Sequence, residues 1–274
     1  MSRFHYEPDP ERGVFQEVAP GVRRMVAANA SLMTYHGTNT YLIEAPEGLF
    51  VLDPGPADDA RHFDAIISAL GGRGAGIIVS HHHSDHFGAV SRLQSETGLR
   101  VHASANFADD TFRPDLPLLE GDYVAGLGVV HTPGHASDHL CFRRDDGVLF
   151  SGDHVMAWNS SIVMLPDGDM GAYCRQLERL IAAEDRLYLP GHGPALHDPT
   201  SYTCMLLQHR LQREDAIRIQ IGKAPATPAE IAETVYRKTD KSLAWAAERN
   251  VEAHLDKLKQ EGCAVRDGNR WRAI

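Results

Sequence analysis

Six consecutive residues, His81-His82-His83-Ser84-Asp85-His86, deliver imidazole nitrogens and a carboxylate from one short piece of chain. A divalent transition ion such as zinc takes about four N, S or O ligands and keeps a position open where catalysis occurs. His81, His83, Asp85 and His86, with any ligand recruited from elsewhere, exceed the need of one ion, so two ions side by side are implied. The bland reading is a solvated histidine run or the remnant of a tag. A tag lies at a terminus and carries no Asp, and a solvated run has no reason to follow a buried strand.

Other chemistry-bearing residues recur in a similar setting. Asp53 follows Leu49 to Leu52 and begins an Asp-Pro-Gly turn. His135 follows Pro133-Gly134, a tight turn that projects a side chain from a loop tip. Asp153 stands in Ser151-Gly152-Asp153-His154, and His192 lies in a Pro- and Gly-rich loop after Leu187 to Leu189. His131 and His139 are expected to be strand residues or partners of a ligand, and His154 to be solvated or, as the alternative, to contact substrate.

These positions need strands that end together. Gly76 to Ser80 is an apolar run of strand length, and Phe87, Val90 and Leu93 after the histidine cluster have helical spacing up to Thr97. Val22 to Ala27, Tyr41 to Ile43 and Leu49 to Leu52 read as antiparallel strands separated by turn residues. A helix is expected from an N-cap at Asp58 to Leu70 and another over Asp169 to Ala183, with β-like runs between. Strand-helix alternation argues for an α/β protein, and open α/β sheets place their sites beyond the carboxyl ends of strands.

The bulk properties set limits. The 274 residues suffice for one large core with a small appendage. The net charge of −10 disfavours broad attraction to nucleic acid or anionic membrane. Cys141, Cys174, Cys204 and Cys263 form no CxxC pair, which indicates neither a thiolate zinc site nor a disulfide framework. Met1 to Gly13 carry no apolar h-region and no later stretch reaches membrane-span length, so a cytoplasmic protein is expected.

Taken together, the motifs resemble the metallo-β-lactamase superfamily. Its HxHxDH signature stands here as HHHSDH, its histidine after a Pro-Gly turn as TPGH, its bridging aspartate as SGDH and its last histidine as PGHG, in family order. The resemblance covers roughly residues 15 to 200. It implies a four-layer αββα sandwich. It also implies that His81, His83 and His135 hold one ion, that Asp85, His86 and His192 hold the other, and that Asp153 lies between them. Asp53 would orient ligands. Exported antibiotic-destroying members of the commonest class have a cysteine ligand where Asp153 stands, which argues against a true β-lactamase. Thioesterase, lactonase and nuclease branches are the better match.

Beyond Pro199 the chain reads as a helix to about Ile221. A capping box follows at Thr227-Pro228-Ala229-Glu230, then an amphipathic helix through Leu243 to Leu258 and a hairpin turn at Asp267-Gly268-Asn269. This pattern looks like a small winged-helix module, dividing the chain into 1–220 and 221–274. From Lys223 to Ile274 there are ten Lys or Arg against eight Asp or Glu, too slight an excess to indicate nucleic-acid binding. The combination, with Gln208 to Glu214 joining the parts, resembles the β-lactamase-like protein 2 branch, whose animal member is a single-stranded-RNA endoribonuclease.

The expected chemistry is metal-assisted hydrolysis by a hydroxide bridging two divalent ions, zinc first, with manganese or iron accepted by the same ligands. Asp85 would orient the nucleophile and take its proton, and Asp153 would link the ions. The expected substrate is a small-molecule ester, thioester or lactone. Single-stranded RNA is the alternative, not favoured by charge, and a regulator with an idle site is a third reading that the intact ligand set opposes. No membrane partner is expected, and the oligomeric state is not specified.

Overall fold

The computed structural model describes residues 4–237 and 240–274. It divides into two compact units, the first comprising 4–132, 138–160 and 184–199, the second 133–137, 161–183, 200–237 and 240–274.

The first unit is a sandwich of two sheets. In chain order its elements are β1 (Gln16–Ala19), β2 (Val22–Val26), β3 (Asn39–Ala45), β4 (Gly48–Leu52), α1 (Ala60–Leu70), β5 (Gly74–Ile78), α2 (Ser84–Phe87), α3 (Val90–Thr97), β6 (Val101–Ser104) and β7 (Leu116–Leu118). These seven strands form one sheet in sequence order, antiparallel to β4 and parallel thereafter. The second sheet holds β8 (Tyr123–Val124), β9 (Leu127–His131), β10 (Leu140–Arg144), β11 (Val148–Gly152) and β12 (Leu187–Pro190), with β12 parallel to β11.

Period-two alternation assigns the faces. Tyr41, Ile43, Phe50 and Leu52 share one buried cluster with Leu127, Val129, Phe142, Phe150 and Leu189 of the other sheet. Leu42, Leu49, Val51 and Ile77 point the opposite way, into a cluster with Phe63, Ile66 and Leu70 of α1 and Val90 and Leu93 of α3. The α/β class is therefore as expected. The N-cap of α1 is Asp59, one residue later than expected, its carboxylate accepting from His62 N–H at 3.0 Å.

One helix was expected from Phe87 to Thr97, and the structure has two. The Ala89 N–H donates to the Gly55 carbonyl at 2.9 Å instead of continuing the helical ladder. Gly55 N–H in turn donates to the His86 carbonyl at 3.1 Å, so the turn after β4 clasps α2. The edge strands β1 and β7 were not anticipated. They are short, and Pro117 interrupts the strand pattern of the latter.

The second unit contains α4 (Met170–Ala182), α5 (Pro199–Lys223, from Thr200 onward), α6 (Pro228–Val235), α7 (Ala244–Gln260) and the hairpin β13 (Ala264–Asp267) and β14 (Arg270–Ala273). Asp169 caps α4, accepting from Ala172 N–H at 2.8 Å. Thr227 and Glu230 form the expected capping box on α6. Ile217, Ile221, Ile231, Val251, Leu255, Leu258 and Trp271 pack into a core of their own. Among the described residues no helix is long and apolar enough to cross a membrane.

Phe150 is 1 % exposed and meets Tyr41 edge-on at 5.2 Å between the sheets. Phe150→Ala is expected to cost about 3–5 kcal/mol. Leu119→Ala, at a side chain 59 % exposed, should change stability by less than about 0.5 kcal/mol, both measured by urea unfolding.

Candidate metal centre

Parallel pairing brings strand ends to one edge. Leu52 of β4 is in register with Ile78 of β5, so Asp53 and Ser80 emerge together. Gly152 pairs with Pro190, so Asp153 and His192 also emerge together. Hydrogen bonds join the two sheets at this end: Asn39 N–H donates to the Gly191 carbonyl at 2.7 Å, and Leu140 N–H to the Ser80 carbonyl at 2.8 Å. Asn39 Nδ2 also donates to the carbonyls of Pro190 and Gly193, and the Tyr41 hydroxyl to that of Pro190. The loop bearing His192 is thereby tied to the start of β3.

Asp53 adopts a left-handed backbone, φ 52°, which costs a non-glycine residue energy unless its surroundings impose it. They do. Its carboxylate accepts from Ser80 N–H at 2.8 Å and Ser80 Oγ at 2.7 Å, and Oδ2 also lies 2.8 Å from His86 Nδ1. A carboxylate only accepts, so Nδ1 carries a proton and His86 Nε2 faces inward as a potential ligand. His192 repeats the arrangement, with Nδ1 3.2 Å from the Gly37 carbonyl.

The inward atoms converge. His86 Nε2 lies 3.5 Å from Asp85 Oδ2, 3.3 Å from His192 Nε2 and 3.4 Å from Asp153 Oδ1. His192 Nε2 lies 3.2 Å from Asp85 Oδ2 and 3.4 Å from Asp153 Oδ2. Ligands about 2.1 Å from a tetrahedral ion stand roughly 3.4 Å apart, so this donor set fits a divalent ion. His81 Nδ1 meets Ser80 Oγ at 2.9 Å, leaving Nε2 2.9 Å from His83 Nδ1, a second pair of converging nitrogens. His81, His86 and Asp153 also offer atoms within 4.8 Å of one another. Gly191 is required here: a Cβ on it would strike Asp153 Oδ1 and His86 Cε1.

Six of the seven expected ligands, His81, His83, Asp85, His86, Asp153 and His192, are thus gathered in the first unit. His135 belongs to the second, on the loop 133–137. Its Nδ1 lies 2.7 Å from the Ile162 carbonyl, so Nδ1 donates and Nε2 is again the nitrogen left for a ligand role.

Several supporting residues were not anticipated. Thr38 Oγ1 donates to Asp85 Oδ2 at 3.0 Å, although Gly37-Thr38-Asn39 reads only as a chain break. Threonine at a strand entry carries no signal that its partner lies 47 residues away. His139, by contrast, has the kind of partner role expected of it, at Asp153: its Nε2 accepts from Asp153 N–H at 3.1 Å and its Nδ1 meets Thr132 Oγ1 at 2.8 Å. His131 joins no group of converging donors among the described residues. His154 was expected to be solvated and is fully buried.

Burial opposes every charge in the cluster, raising the carboxyls of Asp85 and Asp153 and lowering the imidazoles of His86 and His192, but mutual attraction outweighs it. His86 and His192 hold both carboxyls well below the usual range. Asp85, Asp153 and Asp53 drive His86 well above its ordinary value, and His192 is pushed up to about 9, chiefly by Asp153. His81 moves the other way, lowered by burial and by the imidazoles of His86 and His83. Protons on His86 and His192 and a bound cation are thus alternative sources of the positive charge that the buried carboxylates require.

The family model described as the metallo-beta-lactamase superfamily matches residues 33–192, and that described as the beta-lactamase associated winged helix domain matches 227–271. A beta-lactamase-like protein 2 homolog of Drosophila melanogaster is 29% identical over 265 residues, covering 88% of this chain and 88% of its own. An atrochrysone carboxyl ACP thioesterase of Aspergillus terreus is 26% identical over 289 residues, covering 96% and 88%. Among solved structures, a beta-lactamase domain protein from Burkholderia ambifaria has a TM-score of 0.84 at 24% identity, covering 97% of this chain and 95% of its own, a likeness of fold.

An ion entering this cluster must displace the protons held there. Apparent metal affinity is therefore expected to rise with pH through neutrality towards about 9, the value to which His192 is pushed up. Proton release on zinc addition at pH 7.5, followed with an indicator dye in weak buffer, checks this. Uptake without proton release would contradict it.

Proposed function

Because the chain belongs to the metallo-β-lactamase superfamily, whose model matches residues 33–192, we propose that it is a dinuclear metal-dependent hydrolase cleaving a small-molecule ester, thioester or lactone. The observation that carries this reading is the set of donor atoms from Asp85, His86, Asp153 and His192 spaced 3.2–3.5 Å apart. In this reading His81, His83 and His135 hold one ion, Asp85, His86 and His192 the other, and Asp153 serves both. His135 enters on its place in the TPGH motif and on its orientation by Ile162. Zinc is the metal put first, and manganese and iron suit the same donors.

When bound, the ions supply Lewis acidity that makes a water nucleophilic near neutral pH and polarises the group under attack. The chain's own residues do the rest. Asp85 is the most exposed carboxylate of the set, its side chain 28% accessible, and Thr38 fixes its Oδ2. It is placed to orient the attacking water and receive its proton. Asp153 is buried and holds its charge between His86 and His192. Ser151 is buried with its hydroxyl donating to the Val155 carbonyl, which leaves it no role as a nucleophile.

The thioester named for the Aspergillus relative supports acyl substrates by analogy only. The net charge of −10 leans away from a polyanion. The chain divides functionally near residue 220, with 1–220 as hydrolase and 221–274 as winged-helix-like module, the two family matches ending at 192 and beginning at 227 on either side. A reducing, cytoplasmic setting fits four cysteines that lie outside any disulfide.

Chelation should abolish turnover of a thioester, lactone or ester panel, and two equivalents of zinc should restore it. Asp85→Asn should lower kcat about 10²–10⁴-fold. Raising salt from about 50 to 200 mM should leave ester turnover nearly unchanged, whereas RNA binding would fall steeply through counterion release. Cleavage of single-stranded RNA with no acyl substrate turned over would reject the acyl reading in favour of the nuclease one.

A further inference from the structure

The loop bearing His135 is held along its backbone by neighbouring segments of the second unit. Gly134, at φ 142°, lies against Tyr173 so closely that a Cβ would overlap its backbone. Asp169 N–H donates to the Gly134 carbonyl at 2.9 Å, and Ser137 Oγ to Asp167 Oδ1 at 2.5 Å. These contacts place the backbone. The imidazole is oriented by its bond to the Ile162 carbonyl.

Ile162 lies in 160–164, a stretch with neither helix nor strand, which cannot fix its own carbonyl. Side chains from two helices do so on either side of it. Arg210 of α5 donates through Nη2 to the Ser161 carbonyl. Asn250 of α7 accepts at Oδ1 from Val163 N–H at 3.2 Å and from Arg210 Nη1 at 3.1 Å, while its Nδ2 donates to the Ala246 carbonyl. Arg210 is 2 % exposed and its guanidinium lies 5.2 Å from the Tyr173 ring.

The sequence around Arg210 has a shared purpose. Arg213 donates to the Val235 carbonyl and sits over Tyr236, and Glu214 binds His254 and Lys257 at 3.1 and 2.6 Å. Residues 210, 213 and 214 share one helix face, and between them they grip the 161 backbone, the end of α6 and two turns of α7. On α7, Val251 is buried in the module's core beside Asn250. The same helix therefore serves the module's packing and the strut behind Ile162.

We propose that Asn250 and Arg210 are positioning residues for the metal ligand His135, so that helix α7 of the C-terminal module sets the affinity of the ion that His135 holds. This rests on the two-ion reading above. The route is Asn250 and Arg210 to 161–163, then the Ile162 carbonyl to Nδ1, which fixes where Nε2 points. Outer partners of this kind change metal affinity about 10–100-fold when removed.

The test is a zinc titration against a chromogenic chelator, with thermal unfolding of the metal-free forms, on the full chain. The native protein should bind two equivalents, and His135→Ala should weaken one of them. Asn250→Ala should weaken that same equivalent about 10–100-fold and leave the other within about threefold. In the His135→Ala background it should have no further effect, the signature of action through His135. Asn250→Asp keeps the acceptor oxygen and should restore native affinity. Arg210→Lys keeps the charge but not the fork, and should give a smaller loss at the same ion should Asn250→Ala fail to fold. Arg249→Ala, which removes an exposed ion pair to Glu252, should change nothing. Native binding of both ions by Asn250→Ala, or equal weakening of both, would overturn the inference while leaving the two-ion reading intact. Fewer than two equivalents on the native protein, or no loss in His135→Ala, would overturn that reading and this inference with it.

Discussion

Which nitrogen of each histidine faces inward is decided by what the other nitrogen touches. His86 gives Nδ1–H to Asp53, His192 to the Gly37 carbonyl and His135 to the Ile162 carbonyl. Each acceptor lacks a proton of its own, so each leaves Nε2 as the nitrogen available to an ion. A free imidazole flips and exchanges tautomers. These three are confined by hydrogen bonds, and His86 and His192 also stand at ligand spacing from Asp85 and Asp153, with little side-chain entropy left to lose.

Those outward bonds need strand ends held in register, and the sheets supply them. Parallel pairs β4–β5 and β11–β12 bring Asp53 beside Ser80 and Asp153 beside His192. The apolar cluster between the sheets holds the pairs face to face, and Asn39 and Leu140 stitch them at the site's edge. Burial makes this arrangement demanding. Asp53 and Asp153 are buried and Asp85 is only partly exposed, so each must be answered by hydrogen bonds or by charge on the imidazoles.

The residues at strand ends were readable because ligand chemistry restricts them to few types, and because Pro-Gly and Gly-Asp turns mark where strands stop. His81, His83, Asp85, His86, Asp153 and His192, the residues the motifs singled out, come together in one unit, and Asp53 bonds to His86 Nδ1. What escaped was long-range and chemically plain. Thr38, Asn39 and Ser80 are ordinary polar residues whose importance comes from partners brought near only by the fold. The helix split at Gly88 was hidden because its cause, the Gly55 carbonyl taking the Ala89 N–H, lies 34 residues earlier. His154 looked solvated because a polar residue after a strand usually is, whereas this one is enclosed.

Two of the three outward bonds end on main-chain oxygens, at 37 and 162, and the tie that secures the His192 loop ends on a third, at 190. Every residue type carries such an oxygen. Replacement at a position like 162 therefore changes the side chain while preserving the atom that steers the imidazole of His135, so selection is free to alter what surrounds that imidazole without turning it. A lineage built in this manner keeps its reactivity while its clientele diverges.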